Sequence, residues 1–153
     1  MGNIANIVVF DGAATPASHT LVPVDVSKDP KTGAIVAMWR EQVASLPTYA
    51  QVTATARLSK SRRSGIWNVD FRVEVPVMES VSGQNSAGYT AAPKVAYVDT
   101  TGIYGHYHER GTIAGRRLSR QLAVNIGGNI STSVAAATTG VLPDLFDALV
   151  APT

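Results

Sequence analysis

The chain has 153 residues, a length typical of a single domain, and carries a formal net charge of only +2. It contains no cysteine, which excludes disulfide bonds and thiolate metal sites. We expect neither a secretory signal nor a membrane helix, because the N-terminus lacks a basic region and no apolar run approaches about 18 residues. With so small a net charge, any affinity for nucleic acid must depend on where the basic side chains lie.

The beginning of the chain predicts short β-strands. Apolar, β-branched segments at Ile4–Phe10 and His19–Val24 flank a turn rich in small residues, and together they predict an N-terminal β-hairpin. Turn-forming residues at Ser27–Gly33 separate this hairpin from the apolar run Ala34–Trp39. That run has the length of a strand, although Ala34–Val43 also fits a short helix.

Strict alternation gives the clearest structural signal in the sequence. Within Ala50–Leu58 the even positions are apolar and the odd positions polar, and within Trp67–Val75 the odd positions are apolar instead. A period of two predicts half-buried strands. The basic turn Ser59–Gly65 joins them, so we expect an antiparallel pair with one apolar and one polar face. Pro76 is expected to end the second strand, because proline lacks the N–H needed for the ladder.

A long loop and a last strand follow. Met78–Pro93 is rich in Gly, Ser and Asn and has no periodicity, and loops of this length in compact domains usually have a function. Lys94–His108 predicts a long final strand, although its pattern is less regular than that of the preceding pair.

A helix is predicted after the last strand. Thr112 is a suitable N-cap, and the helix would carry apolar residues four apart at Ala114, Leu118, Leu122 and Ile126. The glycine pair at 127–128 is expected to end the helix, although Ile130 and Val134 extend the same spacing and leave a longer helix open.

A second, short helix is predicted at Pro143–Val150, because proline and an acidic residue are favoured at helix starts. Strands followed by helices indicate an α+β fold. We expect one domain over 1–153, with a hairpin region at 4–24, a sheet at 34–108 and helices at 112–150. Surface positions are expected for the charged helix residues Arg116, Arg117, Arg120, Asp144 and Asp147.

Such a fold leaves apolar surface that one copy does not cover. Two helices of these lengths are too narrow for an apolar sheet face about 20 Å wide, because each helix covers roughly 10 Å. The final strand also has no later strand to pair with, and exposed edges are usually protected. A symmetric homodimer solves both problems if edge strands pair across a two-fold axis and helices cover the partner's sheet. The polar faces would then join into one surface.

The order and spacing of several segments resemble the coat proteins of small single-stranded RNA bacteriophages. The resemblance runs from end to end and includes the NIVVFDGAATPASHT hairpin, Trp39 and Tyr49 around a turn, the TYAQVTATAR and FRVEVPV strands, the Gly/Ser-rich loop, KVAYVDTT and HERGTI. It implies a hairpin on the outside, a sheet facing the capsid interior, and interlocked dimers that assemble into an icosahedral shell. It also implies that the loop at 78–93 changes conformation around the symmetry axes.

The resemblance further implies an RNA-binding structural protein of the virion, assembled in the bacterial cytoplasm, without enzymatic activity, cofactor or membrane association. A dimer would bind a genomic RNA hairpin at the replicase start and repress translation. Where the family has a base-stacking aromatic residue and an amide, this chain has Thr100 and Gly102, so we expect Tyr104 to provide the stacking. Carried over by position, the RNA-binding residues are Gln51, Thr53, Thr55, Arg57, Asp70, Arg72, Thr100, Tyr104 and His106.

The arginines also fit a simpler interpretation. Arg57 and Arg72 also fit solvated strand residues that flank Asp70 and Glu74, an interpretation that the resemblance outweighs. The basic residues of the turn at 59–65 are interpreted as the charged tip of a hairpin rather than as phosphate ligands: Lys60, Arg62 and Arg63.

Two further functions compete with the coat-protein interpretation. His106 and His108, followed by Glu109, have a spacing that suits a metal site on a strand and hence a metal-dependent enzyme, although no other ligand is apparent. A cellular RNA-binding sheet domain without shell assembly is the second alternative.

Overall fold

The computed structural model describes residues 4–79, 86–88, 92 and 94–153, so the predicted loop at 78–93 lies largely outside the described residues. The described chain contains one antiparallel sheet in which each of six strands pairs with the next in sequence. The strands are β1 (Ile7–Phe10), β2 (Ser18–Lys28), β3 (Ile35–Glu41), β4 (Thr53–Lys60), β5 (Ile66–Met78) and β6 (Val95–His108). The helix α1 (Ile113–Gly127) follows, and single helical turns lie at Thr48–Ala50 and Pro143–Asp147. The predicted α+β fold is confirmed.

The N-terminal hairpin is continuous with the rest of the sheet. β1 pairs with the first part of β2, as the sequence predicts for a hairpin. β2 then extends to Lys28, beyond its predicted end, and pairs with β3 across a bulge between Pro23 and Asp25. A bulge bends a strand while keeping its pairing, so one strand serves both the hairpin and the main sheet.

β3 is a strand held on both sides, and the helical alternative for Ala34–Val43 is therefore wrong. Its backbone pairs with β2 on one side and β4 on the other. Ala37 and Trp39 are both 0% exposed. The indole N–H of Trp39 donates a hydrogen bond of 2.9 Å to the carbonyl oxygen of Ala5. These sheet contacts outweigh the local preference of so short a segment.

The alternation predicted for β4 and β5 is confirmed. In β4, Ala54, Ala56 and Leu58 are 5% exposed or less, whereas Arg57 between them is exposed. In β5, Val69 is 1% exposed. The two strands therefore present their apolar residues to the core and their polar residues to the opposite face.

Pro76 lies inside β5, opposite Val98 of β6, and the strand continues to Met78. The prediction that Pro76 ends the strand was wrong. The last pair between β4 and β5 joins Thr53 to Glu74, so β5 has a neighbour on only one side at Pro76. Proline is tolerated at such an edge because no second strand needs its missing N–H.

The C-terminal segment covers part of the apolar face of its own sheet. Leu145 and Phe146 are 0% and 1% exposed and belong to the same core cluster as the apolar residues of β3, β4 and β5. The helical turn Pro143–Asp147 starts at the predicted proline but is shorter than the predicted Pro143–Val150. Leu149 has a φ of 56°, a left-handed conformation that a right-handed helix does not accommodate.

Both ends of α1 are fixed by local hydrogen bonds. Thr112 caps the N-terminus as predicted, because its hydroxyl accepts a 3.1 Å hydrogen bond from the Gly115 N–H. At the other end, Asn129 has a φ of 50° and the Ile130 N–H donates to the Asn125 carbonyl over 2.9 Å. This is the geometry of a Schellman motif, which stops a helix. The longer helix extending through Val134 is therefore wrong.

Two charged residues expected at the surface are buried. Arg120 is 5% exposed and Asp147 is 2% exposed, and the two form an ion pair with an Nε to Oδ1 distance of 2.8 Å. Their predicted surface positions were wrong, because the polar side of α1 packs on the C-terminal turn. The apolar residues Leu118 and Leu122 are exposed instead, by 61% and 52%.

Candidate nucleic-acid interface

The candidate site is the face of the sheet opposite the buried core, which we call the polar face. Alternation places one residue in two on this side of each strand. Its members come from four neighbouring strands: Arg40 of β3; Thr53, Thr55 and Arg57 of β4; Asn68, Asp70, Arg72 and Glu74 of β5; and Thr100, Gly102, Tyr104 and His106 of β6.

The strand register arranges these residues in rows across the sheet. Cross-strand partners on one face lie about 5 Å apart, and successive rows lie about 7 Å apart along the strands. The first three rows each join a β4, a β5 and a β6 residue: Thr53, Glu74 and Thr100; Thr55, Arg72 and Gly102; Arg57, Asp70 and Tyr104. In a fourth row Asn68 pairs with His106. Eight of the nine RNA-binding residues predicted from the sequence therefore share one surface, with Gln51 set apart.

Gln51 precedes β4 and has a structural role in the adjoining loop. Its amide nitrogen donates to the carbonyl oxygens of Val43 and Leu46, both over 3.1 Å. These bonds hold the connection between β3 and β4. Sequence alternation places Gln51 in phase with Thr53, but it does not reveal that the loop uses the amide.

The charges on the polar face are largely balanced. Arg72 pairs with Asp70, with 2.7 Å between Nη2 and Oδ2, and both side chains are partly exposed. Arg57 lies 3.7 Å from a carboxylate oxygen of Asp29, in the turn between β2 and β3. Such exposed pairs are weak, so a phosphate can replace the carboxylate at little cost.

Asp29 is a neighbour of the site that the sequence did not identify. Its carboxylate accepts hydrogen bonds from the Thr32 hydroxyl at 2.6 Å and from the Lys31 N–H at 2.9 Å. These bonds, with a smaller contribution from Arg57, lower the pKa of Asp29 below its usual range. A carboxylate already supported in this way does not depend on Arg57 for its charge.

The β6 side of the polar face is aromatic. Tyr104 is 76% exposed, and its ring centroid lies 5.8 Å from that of His106. The Nδ1 atom of His106 lies 2.8 Å from the Asn68 side-chain oxygen. Next to them, a Cβ added at Gly102 would lie 3.3 Å from the Cβ of Arg72, so glycine leaves room beside that arginine.

The histidines of β6 do not assemble a metal site in the described residues. No group of three or more His, Cys, Asp or Glu side chains with metal-binding geometry occurs there. His106 contacts Asn68, whereas a ring nitrogen of His108 accepts a hydrogen bond from the Arg110 N–H. Glu109 pairs with Lys60 at 2.8 Å. His106, His108 and Glu109 therefore each contact a different residue and do not converge on one metal position.

Arg40 is a second residue of the polar face that the sequence did not identify. It pairs with Thr53 across β3 and β4, so its side chain is on the same side as the predicted site. Its Nε atom is buried and has no hydrogen-bond partner among the residues that the structure describes. Alternation along β3 does not reveal Arg40, because Val36 and Met38, which lie on the same side of the strand, are apolar.

The sequence profile of the Levivirus coat protein family matches residues 2–141. The chain belongs to this family. The coat protein is thus a structural component of a virion and not an enzyme, and membership decides against a cellular RNA-binding domain. No helix in the described part of the coat protein is long and apolar enough to span a membrane.

Solved structures of related particles share the fold of this coat protein. The virus-like particle of bacteriophage EMS014 gives a TM-score of 0.68 at 27% identity, covering 97% of this chain and 98% of the other. That of bacteriophage ESE058 gives 0.67 at 22% identity, with the same coverage of 97% and 98%. That of Beihai levi-like virus 21 gives 0.65 at 20% identity, covering 88% and 99%. No curated protein sequence matches the coat protein.

Proposed function

We propose that two copies of this coat protein form an interlocked homodimer through β6. β6 has 14 residues and stands at the edge of the sheet, paired with β5 on one side. Gly105 is its one buried residue. An edge of this length offers a row of backbone donors and acceptors to another strand. Antiparallel pairing of β6 with β6 of a second copy satisfies both edges and joins two polar faces.

Apolar surface on the core side of the sheet, opposite the polar face, supports the same dimer. On α1, Leu118, Leu122 and Ile126 are 61%, 52% and 79% exposed. Between the hairpin and the C-terminal segment lies a groove of about 840 Å³, lined mainly by apolar residues that include Ile7, Leu21, Ala54, Phe71, Val73 and Val141. In the dimer, α1 of each copy packs over the partner's sheet, and the apolar residues of both surfaces become buried.

The dimers assemble into an icosahedral shell in the cytoplasm of a bacterial host. The whole chain, 1–153, acts as one domain, with the hairpin region at 4–24 outside, the sheet at 34–108 lining the interior, and the helices at 112–150 between subunits. The loop at 78–93 adapts to the different symmetry axes. Family membership supports this proposal, and so do the related chains, whose structures are those of virus-like particles.

The polar face binds the packaged single-stranded RNA. Arg57 and Arg72 exchange their exposed carboxylate partners for phosphates, which are stronger acceptors for a guanidinium fork. Thr53 and Thr55 offer hydroxyl groups to the backbone, and Thr100 extends the same row onto β6. Asp70 orients Arg72 on the polar face between binding events through their 2.7 Å contact. Gln51 contributes indirectly, through the loop that it holds.

Base recognition belongs to the β6 side of the face. Tyr104 is exposed enough to stack on an unpaired base, an interaction worth about 1 to 3 kcal/mol. His106, positioned by Asn68, lies beside it and offers a ring nitrogen to a base edge. A dimer carries two such sites on one surface, which suits a folded RNA hairpin. Binding of that hairpin at the replicase start represses translation.

The observation that carries the proposal is an uncovered polar face on the side of the sheet opposite the core. Expression of the coat protein alone in bacteria tests it. We expect closed particles in electron micrographs, with RNA that resists added nuclease until the shell is opened. Dispersed monomers at every salt concentration, or shells free of RNA, would contradict the proposal. Leu122→Glu should form no particles, because it places a charge on the α1 surface that the dimer buries. Ala123→Glu, which is exposed beside it, is the matched control and should still assemble.

A further inference from the structure

Arg40 differs from the other two arginines of the polar face in having no acidic partner in the described part of the chain. Arg57 has Asp29 and Arg72 has Asp70. The cross-strand neighbours of Arg40 are Thr53 on β4 and Val22 on β2, and neither carries a charge. The positive charge of Arg40 is therefore the least compensated of the three.

The nearest acidic side chains on this face do not compensate Arg40. Glu74 lies two strands away and accepts a 3.4 Å hydrogen bond from the Thr53 hydroxyl. Asp25 lies diagonally across on β2, where the bulge breaks the register. Neither carboxylate forms an ion pair with Arg40 among the described residues.

The resting conformation of Arg40 leaves a hydrogen bond unmade. Its Nε atom is buried and has no acceptor in the described chain. A buried donor without a partner destabilises the conformation that contains it. The side chain as a whole is only half-buried, so the guanidinium can turn outward from β3. An anion above the polar face would give both Nε and an Nη atom an acceptor, in the paired geometry that arginine prefers.

We propose that Arg40 is an additional phosphate-binding residue for single-stranded RNA, and this inference rests on the proposed RNA-binding function. The guanidinium turns away from β3 and donates from Nε and Nη to one phosphate. This extends the RNA-binding surface from β6 to β3, a width of four strands, or about 15 Å. Because Nε has no acceptor among the described residues of the unbound protein, turning the side chain outward breaks no hydrogen bond at that atom.

Arg40 contacts a different phosphate from the other arginines. It lies one strand and two rows from Arg57, which corresponds to about 14 Å between their backbones. It lies two strands and one row from Arg72, which corresponds to about 12 Å. Arg57 extends toward Asp29 and Arg72 toward Asp70, and both directions lead away from the row of Arg40. The contribution of Arg40 to counterion release therefore adds to those of the others.

Fluorescence anisotropy with a labelled single-stranded RNA of about twenty nucleotides tests the inference on the full-length coat protein. Arg40→Met keeps the apolar stem and removes the guanidinium. We expect it to weaken binding about tenfold, the loss of one charge-assisted hydrogen-bonded contact. The slope of log affinity against log salt should fall by about 0.7, the value for one phosphate of a single strand. Arg110→Met, in the exposed turn leading away from the sheet, should leave both values unchanged.

Thermal unfolding separates a binding role from a structural one. Arg40→Met removes a donor without a partner, so its unfolding temperature should equal or exceed that of the original protein. Loss of affinity together with loss of stability would assign Arg40 a structural role and overturn the inference.

Arg40→Lys provides a second variant if Arg40→Met does not fold. It keeps the charge and loses the paired donors, so the salt slope should be retained while affinity falls several-fold. Full affinity in Arg40→Lys would overturn paired donation. If the original protein binds RNA and Arg40→Met shows the same salt slope, the inference about Arg40 is wrong and the proposed RNA-binding function stands. If the original protein binds no RNA, the proposed function and the inference fail together.

Discussion

Arg120 of α1 holds Asp147 of the C-terminal turn with two hydrogen bonds, 2.8 Å from Nε to Oδ1 and 2.9 Å from Nη2 to Oδ2. Arg117 adds a third bond to the same carboxylate at 3.1 Å. Arg116 donates to the main-chain carbonyl of Asp147 over 2.7 Å. Three arginines on one helix thereby fix the turn that covers the core, and they leave the apolar residues of α1 facing outward.

Loss of the Asp147 carboxylate should destabilise the subunit strongly. Asp147→Ala leaves Arg120 charged and buried without its partner, a change that typically costs about 3 to 5 kcal/mol of unfolding free energy. Urea unfolding measures it, with Asp144→Ala as the control on the same turn. Arg120→Met combined with Asp147→Leu should recover most of the loss, because no buried charge remains. Equal costs for Asp147→Ala and Asp144→Ala would contradict this role.

Acid should weaken the same contact. Burial raises the pKa of Asp147, but the hydrogen bonds from Arg120 and Arg117 outweigh this effect and lower the pKa below 3.8. A lowered folded-state pKa gives stability that is fully present above the usual value and is lost as pH falls through the folded one. The acid limb of a stability–pH curve should therefore flatten in the Arg120→Met, Asp147→Leu double variant. An unchanged acid limb would show that other carboxylates dominate.

The N-terminal hairpin should loosen at alkaline pH. His19 lies between two carboxylates, 2.8 Å from Glu41 and 3.6 Å from Asp11. The hydrogen bond to Glu41 is the main cause that raises the pKa of His19 above 6.5. A raised folded-state pKa gives stability that is complete below 6.5 and is lost as pH rises through the folded value. The protection factors of the β1 amides, which are corrected for the intrinsic exchange rate, should therefore fall over that range.

Two variants test the assignment to His19. His19→Gln should remove the alkaline fall in protection of the β1 amides, whereas His108→Gln should retain it, because His108 lies in β6 and accepts a hydrogen bond from the nearby Arg110 N–H. Nuclear magnetic resonance of the imidazole gives the pKa directly. A His19 pKa at or below 6.5 would rule out the proposed charge contacts.

A charge on the outer surface of α1 should block assembly without unfolding the subunit. Leu122 is 52% exposed in one copy, so Leu122→Glu should leave the unfolding temperature of the isolated subunit nearly unchanged. In the proposed dimer the same side chain is buried, where an unpaired carboxylate is strongly unfavourable. Size-exclusion chromatography should show no particles. Ala123→Glu, exposed beside the apolar stripe, should still assemble, and failure of both variants alike would point to general charge sensitivity instead.

Tyr104 should contribute stacking rather than its hydroxyl group. Tyr104→Ala is expected to weaken RNA binding by about 1 to 3 kcal/mol, and Tyr104→Phe to retain most of the affinity. Filter binding with a short RNA hairpin measures both. Equal losses in the two variants would assign the contribution to the hydroxyl group.

Sequence patterns predicted the parts of this fold that depend on local alternation and local capping. Thr53 to Leu58 alternate strictly, and their faces are as expected because each strand position has a fixed side. Thr112 caps α1 because a threonine before an apolar helix offers its hydroxyl locally. Most of the predicted polar face followed from the same rule, since alternation alone identifies which residues share a side.

Long-range contacts were beyond the reach of such patterns. Arg120 and Asp147 are 27 residues apart, and nothing in either segment signals that they are buried together. Pro76 is tolerated because β4 ends before it, which only the register shows. Arg40 follows apolar residues in phase, so its place on the polar face became clear only from its pairing with Thr53.

Ultraviolet crosslinking of RNA inside intact particles, followed by mass spectrometry of the peptides, tests most directly whether the polar face contacts the packaged strand. We expect crosslinks to concentrate in β4, β5 and β6, with Tyr104 the main site, and to be absent from α1. Crosslinks concentrated in α1 or in the N-terminal hairpin would contradict the central claim, because α1 lies on the core side of the sheet and the hairpin lies at the edge farthest from β6.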